Sequence, residues 1–130
     1  MKNTMIMESE RARVSETAAR ELFSTGVLLH LNGYLYLREA ITEIICNGDE
    51  TFGITKNLYP HVASVFSSSP AAVERAIRTA IRYVCKRKDT EKLRHISNKD
   101  QGEKLHFTNK EFILTMANQV RKVLIDGIDE

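Results

Sequence analysis

No apolar run in this sequence approaches the roughly 20 residues that cross a bilayer, and Met5-Ile6-Met7 is too short for the core of a signal peptide. Both absences point to a cytoplasmic chain with no membrane partner. Only two cysteines are present, Cys46 and Cys85, and neither has the CxxC spacing of a zinc or redox site, so both are expected as reduced, partly buried thiols. The four histidines, His30, His61, His95 and His106, are scattered without metal-ligand spacing. There is no phosphate-cradling glycine loop, nucleophile elbow or paired-carboxylate arrangement. The expectation is a protein that is not an enzyme and takes no cofactor and no metal. Alternating strand patterns, internal repeats and low-complexity segments are missing as well.

What remains is helical. The chain has 130 residues, 42% of them apolar and 28% charged, enough for one core and no sign of general disorder. An all-α fold is expected, a compact bundle of about five or six short helices, with residues 1–8 as a flexible leader and 9–130 as one helical domain. A helix over 9–25 turns Val14, Ala18, Leu22 and Phe23 inward, and Gly26 ends it in a left-handed cap. Asn32-Gly33 reads as a turn. A second helix over 34–46 carries Tyr34, Leu37, Ile41, Ile44 and Ile45 as its core stripe and breaks at Asn47-Gly48-Asp49. Over 54–66, Ile54, Leu58, Val62 and Phe66 recur every fourth residue, with Pro60 either kinking the helix or marking its effective start. Near the end, Thr108 and Glu111 spell a capping box, and Phe107 and Phe112 a hydrophobic staple across it. The stripe that follows, Ile113, Met116, Ala117, Val120 and Leu124, completes the core or pairs with a second subunit.

Residues 54–88 have the pattern of a helix-turn-helix. Val62, Ala63 and Phe66 form the buried side of a supporting helix, and Ser67, Ser68 and Ser69 make the turn. Ser69 is placed to cap the next helix, and Pro70 fits its first position, where a missing N–H costs nothing. On that helix Val73, Ile77, Ala80, Ile81 and Val84 fall on one face, while Glu74, Arg75, Arg78, Thr79 and Arg82 form a stripe on the other. Many such motifs carry a glycine and then an apolar residue where this chain has Ser67 and Ser68. Charge is divided unevenly: residues 70–95 hold eight basic and three acidic side chains, against five and eight in residues 1–53. Basic residues gathered on the free face of such a helix are the footprint of a phosphate-binding surface, and double-stranded DNA is the expected partner. Arg82, Lys86, Arg87 and Lys88 are candidates for phosphate contact, with Lys56 and Ser69 in the same role. Two readings of Glu74 stand side by side: a base reader, or a first-turn acid paired with Arg78 four residues on. Tyr34, Tyr36 and Tyr59 are expected as core or rim aromatics.

Three blocks, His30-Leu31-Asn32-Gly33-Tyr34-Leu35-Tyr36-Leu37-Arg38-Glu39-Ala40-Ile41, then Gly53-Ile54-Thr55-Lys56 through Leu58-Tyr59-Pro60, then Val73-Glu74-Arg75-Ala76-Ile77-Arg78, stand in a distinctive order. With Thr108-Asn109-Lys110-Glu111-Phe112-Ile113 they make residues 26–123 resemble the C-terminal effector domain of the stage-zero sporulation response regulator of endospore-forming bacteria. The resemblance implies a six-helix domain that binds a short TGTCGAA-like box and contacts the housekeeping form of RNA polymerase. It places Glu74 and Arg75 at base edges, with Arg78 close by and Thr79 on the same face. It also implies pairing on tandem sites, with Met116 and Val120 of the last helix near the dimer surface. The family has arginine where this chain has Ala72 and histidine where it has Thr79, and residues 91–105 match poorly. About 25 residues precede the matched stretch, too few for a phosphoacceptor receiver domain. The alternative expectation is therefore a receiver-less interaction module that acts on a full-length sporulation regulator or on polymerase.

Overall fold

Leu37, Ile41 and Ile44 recur at helical spacing, and the helix that carries them runs through the middle of the molecule with all three side chains fully enclosed. The computed structural model describes residues 4–47 and 54–127, with side chains for 8–47 and 56–127. Among these residues every regular element is helical: α1 (Thr4–Thr25), α2 (Asn32–Asn47), a π-helical turn (Ile54–Leu58), α3 (Tyr59–Val65), α4 (Pro70–Cys85), α5 (Glu91–Ser97) and α6 (Asn109–Asp126). The central helix is α2, which packs against α1, α4 and α6, while α3 lies between the π-helical turn and α4. One continuous core results, filled by Leu22, Leu58, Val62, Ile77, Leu93 and Phe112 together with the α2 stripe.

Local chemistry fixes the element ends. α1 stops at a double-bonded closure in which Gly26 N–H donates to the Phe23 carbonyl and Val27 N–H reaches back to Leu22, with Gly26 at φ +112°. α3 ends with the longer-range of these two bonds, Ser68 N–H donating to the Ala63 carbonyl at 2.8 Å, and there Ser67 holds the left-handed position at φ +55°. Pro60 falls in the first turn of α3, so the proline marks where α-helix takes over from the π-helical turn. Ser69 accepts the Ala72 N–H at 3.1 Å and Pro70 opens α4. At α6 both bonds of the capping box are made, and the Phe107 and Phe112 rings meet edge to face at 5.6 Å.

Several expectations are corrected. α1 begins at Thr4 rather than at residue 9. Phe23, expected inward, is 62% exposed, because Leu22 takes the core position at the end of α1. Met116 and Val120, expected near a dimer surface, are both fully buried within this chain, where the α6 stripe packs on α1 and α2. The break expected at Asn47-Gly48-Asp49 lies largely outside the described residues. Asn32-Gly33 is no free turn but the first turn of α2, with Gly33 buried against α4. A Cβ at Gly33 would stand 2.4 Å from the Ala76 carbonyl oxygen and 2.7 Å from the Ala80 Cβ.

Charged side chains tie the helices at their margins. Arg11 of α1 bridges Glu39 and Glu43 of α2, the second contact at 3.1 Å, and His61 of α3 reaches the same two carboxylates at 2.8 and 3.1 Å. Burial opposes the Arg11 charge, but Glu39 and Glu43 outweigh it and hold the guanidinium protonated. Buried Glu21 is met by Lys92 of α5 at 3.0 Å and Gln119 of α6 at 3.1 Å. Burial pushes both cysteine thiols up, so neither is an activated nucleophile.

Two substitutions test these constraints. Gly33→Ala forces α2 away from α4 and is expected to cost about 1–3 kcal/mol in urea unfolding, as overpacking does; unchanged stability would overturn the close-approach reading. Ser67→Gly acts oppositely. A left-handed conformation costs a side-chain-bearing residue about 1–2 kcal/mol, and the extra freedom of unfolded glycine returns only about 0.4–1 kcal/mol of that. The variant is therefore expected to be more stable by about 0.5–1 kcal/mol, and a lower midpoint would contradict the strain assigned to Ser67.

Candidate nucleic-acid interface

α4 has one face in the core and one in solvent. Val73, Ile77, Ala80, Ile81 and Val84 are buried, and they press the helix onto α2 and α3. At 100° per residue, Arg75, Arg82 and Lys86 point within about 40° of one another, directly away from that core. All three are exposed, and among the described residues no carboxylate lies within ion-pair distance of any of them. Arg78 and Glu74 sit together on one shoulder of this ridge, joined by an ion pair of 2.9 Å, and half-buried Thr79 lies on the other. The pairing read as the alternative role of Glu74 is thus present in the free protein.

The other candidates separate. Ser69 spends its hydroxyl on the α4 cap, and Lys56 is exposed on the π-helical turn. Lys88 lies beyond the helix end and is exposed. Arg87 turns the other way, its side chain lying over the end of α1 so that a Cβ at Gly26 would touch Nε at 3.0 Å. The ridge therefore gathers Arg75, Arg82 and Lys86 and leaves Arg87 aside.

A cleft of about 830 Å³ runs along the shoulder that bears Glu74 and Arg78. Its opposite wall is the segment 104–110, which leads into α6, and its floor includes Ile81, Leu105 and Phe107. Asn109 pins the wall in place: its side-chain amide donates to the Tyr59 hydroxyl and to the Glu74 carbonyl, both at 3.0 Å. Burial raises the Tyr59 pKa, and the Asn109 bond offsets part of that rise. Arg94, also in the lining, donates to the Thr90 hydroxyl and to the carbonyls of Asp100 and Glu103, which shapes the loop after α5. None of Arg94, Lys104, His106 and Lys110 was identified from the sequence. The pointers there were the capping box beside them and, for Lys110, the block 108–113 of the resemblance.

Glu39, Glu43 and His61 place their ligand-type atoms within 4.8 Å of one another, a grouping the sequence spacing did not reveal. Arg11 is bonded to both carboxylates, which makes the group an ion-pair junction holding α3 to α1 and α2.

Residues 18–120 match the family described as sporulation initiation factor Spo0A C terminal. The chain belongs to this family. Spo0A C-terminal domains are DNA-binding effector domains of a transcription regulator and not enzymes, and the match takes in α2, α3, α4 and the whole cleft. Among the described residues no helix is long and apolar enough to cross a membrane.

The wall's rigidity has a pH signature. Glu111 accepts the Thr108 N–H at 2.9 Å, and that bond, assisted by the Thr108 hydroxyl, Lys99 and His106, holds its carboxyl below the ordinary carboxylate value. A depressed folded-state value means that the stabilisation is complete above the ordinary carboxylate range and is lost as pH falls through the folded value. Glu111→Ala should therefore lower the melting temperature at neutral pH, and the gap to wild type should narrow in acid. A gap independent of pH in thermal unfolding would show that the carboxylate charge contributes nothing to the cap.

Proposed function

We propose that this chain is a sequence-specific regulator of transcription that lays α4 in the major groove of double-stranded DNA. The observation that carries the reading is the ridge of Arg75, Arg82 and Lys86, cationic, unpaired among the described residues and backed by a fully packed core. Membership of the Spo0A C-terminal family supports it. In this reading Arg75 donates two bonds to guanine O6 and N7, and Glu74 accepts from a cytosine amine, while Arg78 and Thr79 contact bases or phosphates from the shoulders. Arg82, Lys86, Lys88 and Lys56 neutralise phosphates and set the register.

The Glu74–Arg78 ion pair does not stand in the way. A half-exposed pair at i,i+4 is worth about 0.2–0.5 kcal/mol, whereas a well-made bidentate base contact discriminates by about 1–3 kcal/mol. DNA wins that exchange. Ala72 and Thr79 give α4 a shorter surface than the arginine and histidine implied by the resemblance, so a box differing from TGTCGAA at one or two positions is expected. A cytoplasmic location goes with this role.

The second reading, an interaction module for RNA polymerase or a full-length sporulation regulator, draws on Phe23, Leu29 and Leu35, large apolar side chains left exposed around the link between α1 and α2. Such a module would bind duplexes without sequence preference.

Selection from a random duplex library at stated salt identifies the preferred box. On it, Arg75→Ala is expected to cost about 1–3 kcal/mol and to relax base preference at one position. Lys88→Ala should weaken cognate and scrambled duplexes alike and reduce the salt dependence by about 0.9 in log–log slope. Equal losses on cognate and scrambled DNA for both variants would remove Arg75 from base reading.

A further inference from the structure

We propose that the segment 104–110 is a second phosphate-binding wall, and that the sugar–phosphate backbone bordering the groove occupied by α4 is held in the cleft between them. This rests on the DNA-binding reading above and extends it to residues outside the helix-turn-helix. The cleft is lined on the α4 side by Arg78, Arg82 and Lys86, and on the far side by Lys104, His106 and Lys110. Glu74 is the one carboxylate in the lining, and it is already paired with Arg78. Among the described residues Lys104 and Lys110 have no carboxylate within ion-pair distance, and both are exposed. Cations converging from two elements on one cleft repel each other in the free protein and are satisfied together only by a polyanion.

Lys110 supplies an independent indication. It stands in the first turn of α6, where the unpaired N–H groups make the helix end positive and a cation is unfavourable. A cation placed against its own helix dipole gains nothing from the fold at that position. Two features favour duplex DNA over a free anion. Arg82 and Lys86 belong both to the solvent ridge of α4 and to the cleft lining, so a duplex seated on the ridge brings its backbone to the cleft mouth. The wall is also held at fixed distance from α4 by the Asn109 bonds to Tyr59 and Glu74, as a register-setting contact requires.

The test compares wild type, Lys104→Ala/Lys110→Ala, Arg82→Ala and, as a control on the exposed far part of α6, Lys122→Ala. Binding to the selected box and to a scrambled duplex is measured across a salt series, with thermal unfolding of each protein. The double variant is expected to reduce the log–log salt slope by about 1.8, with equal weakening on both duplexes and an unchanged base preference. Its melting temperature should be equal to or above that of wild type, an outcome a structural role for the lysines would not give. Lys122→Ala should leave binding unchanged. If the double variant keeps the wild-type slope while Arg82→Ala loses about 0.9, α4 binds DNA and the wall does not, and the inference falls alone. If wild type shows no salt-dependent duplex binding, the DNA-binding reading falls and takes the inference with it. Loss of inorganic phosphate binding in the double variant with no change on duplexes would likewise overturn the assignment to DNA.

Discussion

The distance between α2 and α4 is set by one missing side chain. With only hydrogen on its Cα, Gly33 lets the first turn of α2 rest on the Ala76 carbonyl and the Ala80 methyl. Small residues at a helix crossing bring two axes to the short end of the usual 8–10 Å range. Everything that α4 presents to solvent is aimed from this contact. α2 is held by α1 and α6, α4 is pressed on α2, and the directions of Arg75 and Arg82 follow from that stack rather than from anything local to their own helix. Arg11, Glu39, Glu43 and His61 then fasten α3, so the shorter helix before the turn moves with the core.

Features governed by bonds within a few residues could be read from the sequence. The inward face of α4, the Ser69 cap and the Thr108–Glu111 box all depend on neighbours one to four positions away, whereas Pro60 alone left a kink and a helix start equally open. What failed depended on packing between elements. Asn-Gly is a strong turn signal, and nothing in the sequence says that an alanine-bearing helix will lie against that glycine. Phe23 and Leu22 are adjacent and equally apolar, and only the position of neighbouring helices decides which is enclosed. Met116 and Val120 were correctly placed on one stripe, but a stripe does not tell whether its cover is the same chain or another. In the candidate interface, the two faces of α4 were legible because its charge and its periodicity coincide. The basic side chains of 104–110 were not, since residues 96–130 contain five basic and six acidic side chains and average away the local cluster.

The structure also sorts its cations by use. On the side formed by α1, α2 and α3, Arg11 is bonded to carboxylates and serves cohesion. Arg75 and Arg82 on α4, Lys86 at its C-cap, and Lys104 and Lys110 across the cleft lack such partners among the described residues. Exposed ion pairs contribute little to stability, so leaving these charges unpaired costs the fold little and leaves their full attraction for phosphate. A formal net charge of +2 conceals this division.

Arg94 organises the region after α5. Its guanidinium grips main-chain carbonyls of positions 100 and 103, groups that every amino acid possesses, while the Glu103 carboxylate accepts the Asp100 N–H at 3.1 Å. A single arginine therefore anchors both ends of this turn, and its loss would release two main-chain carbonyls at once.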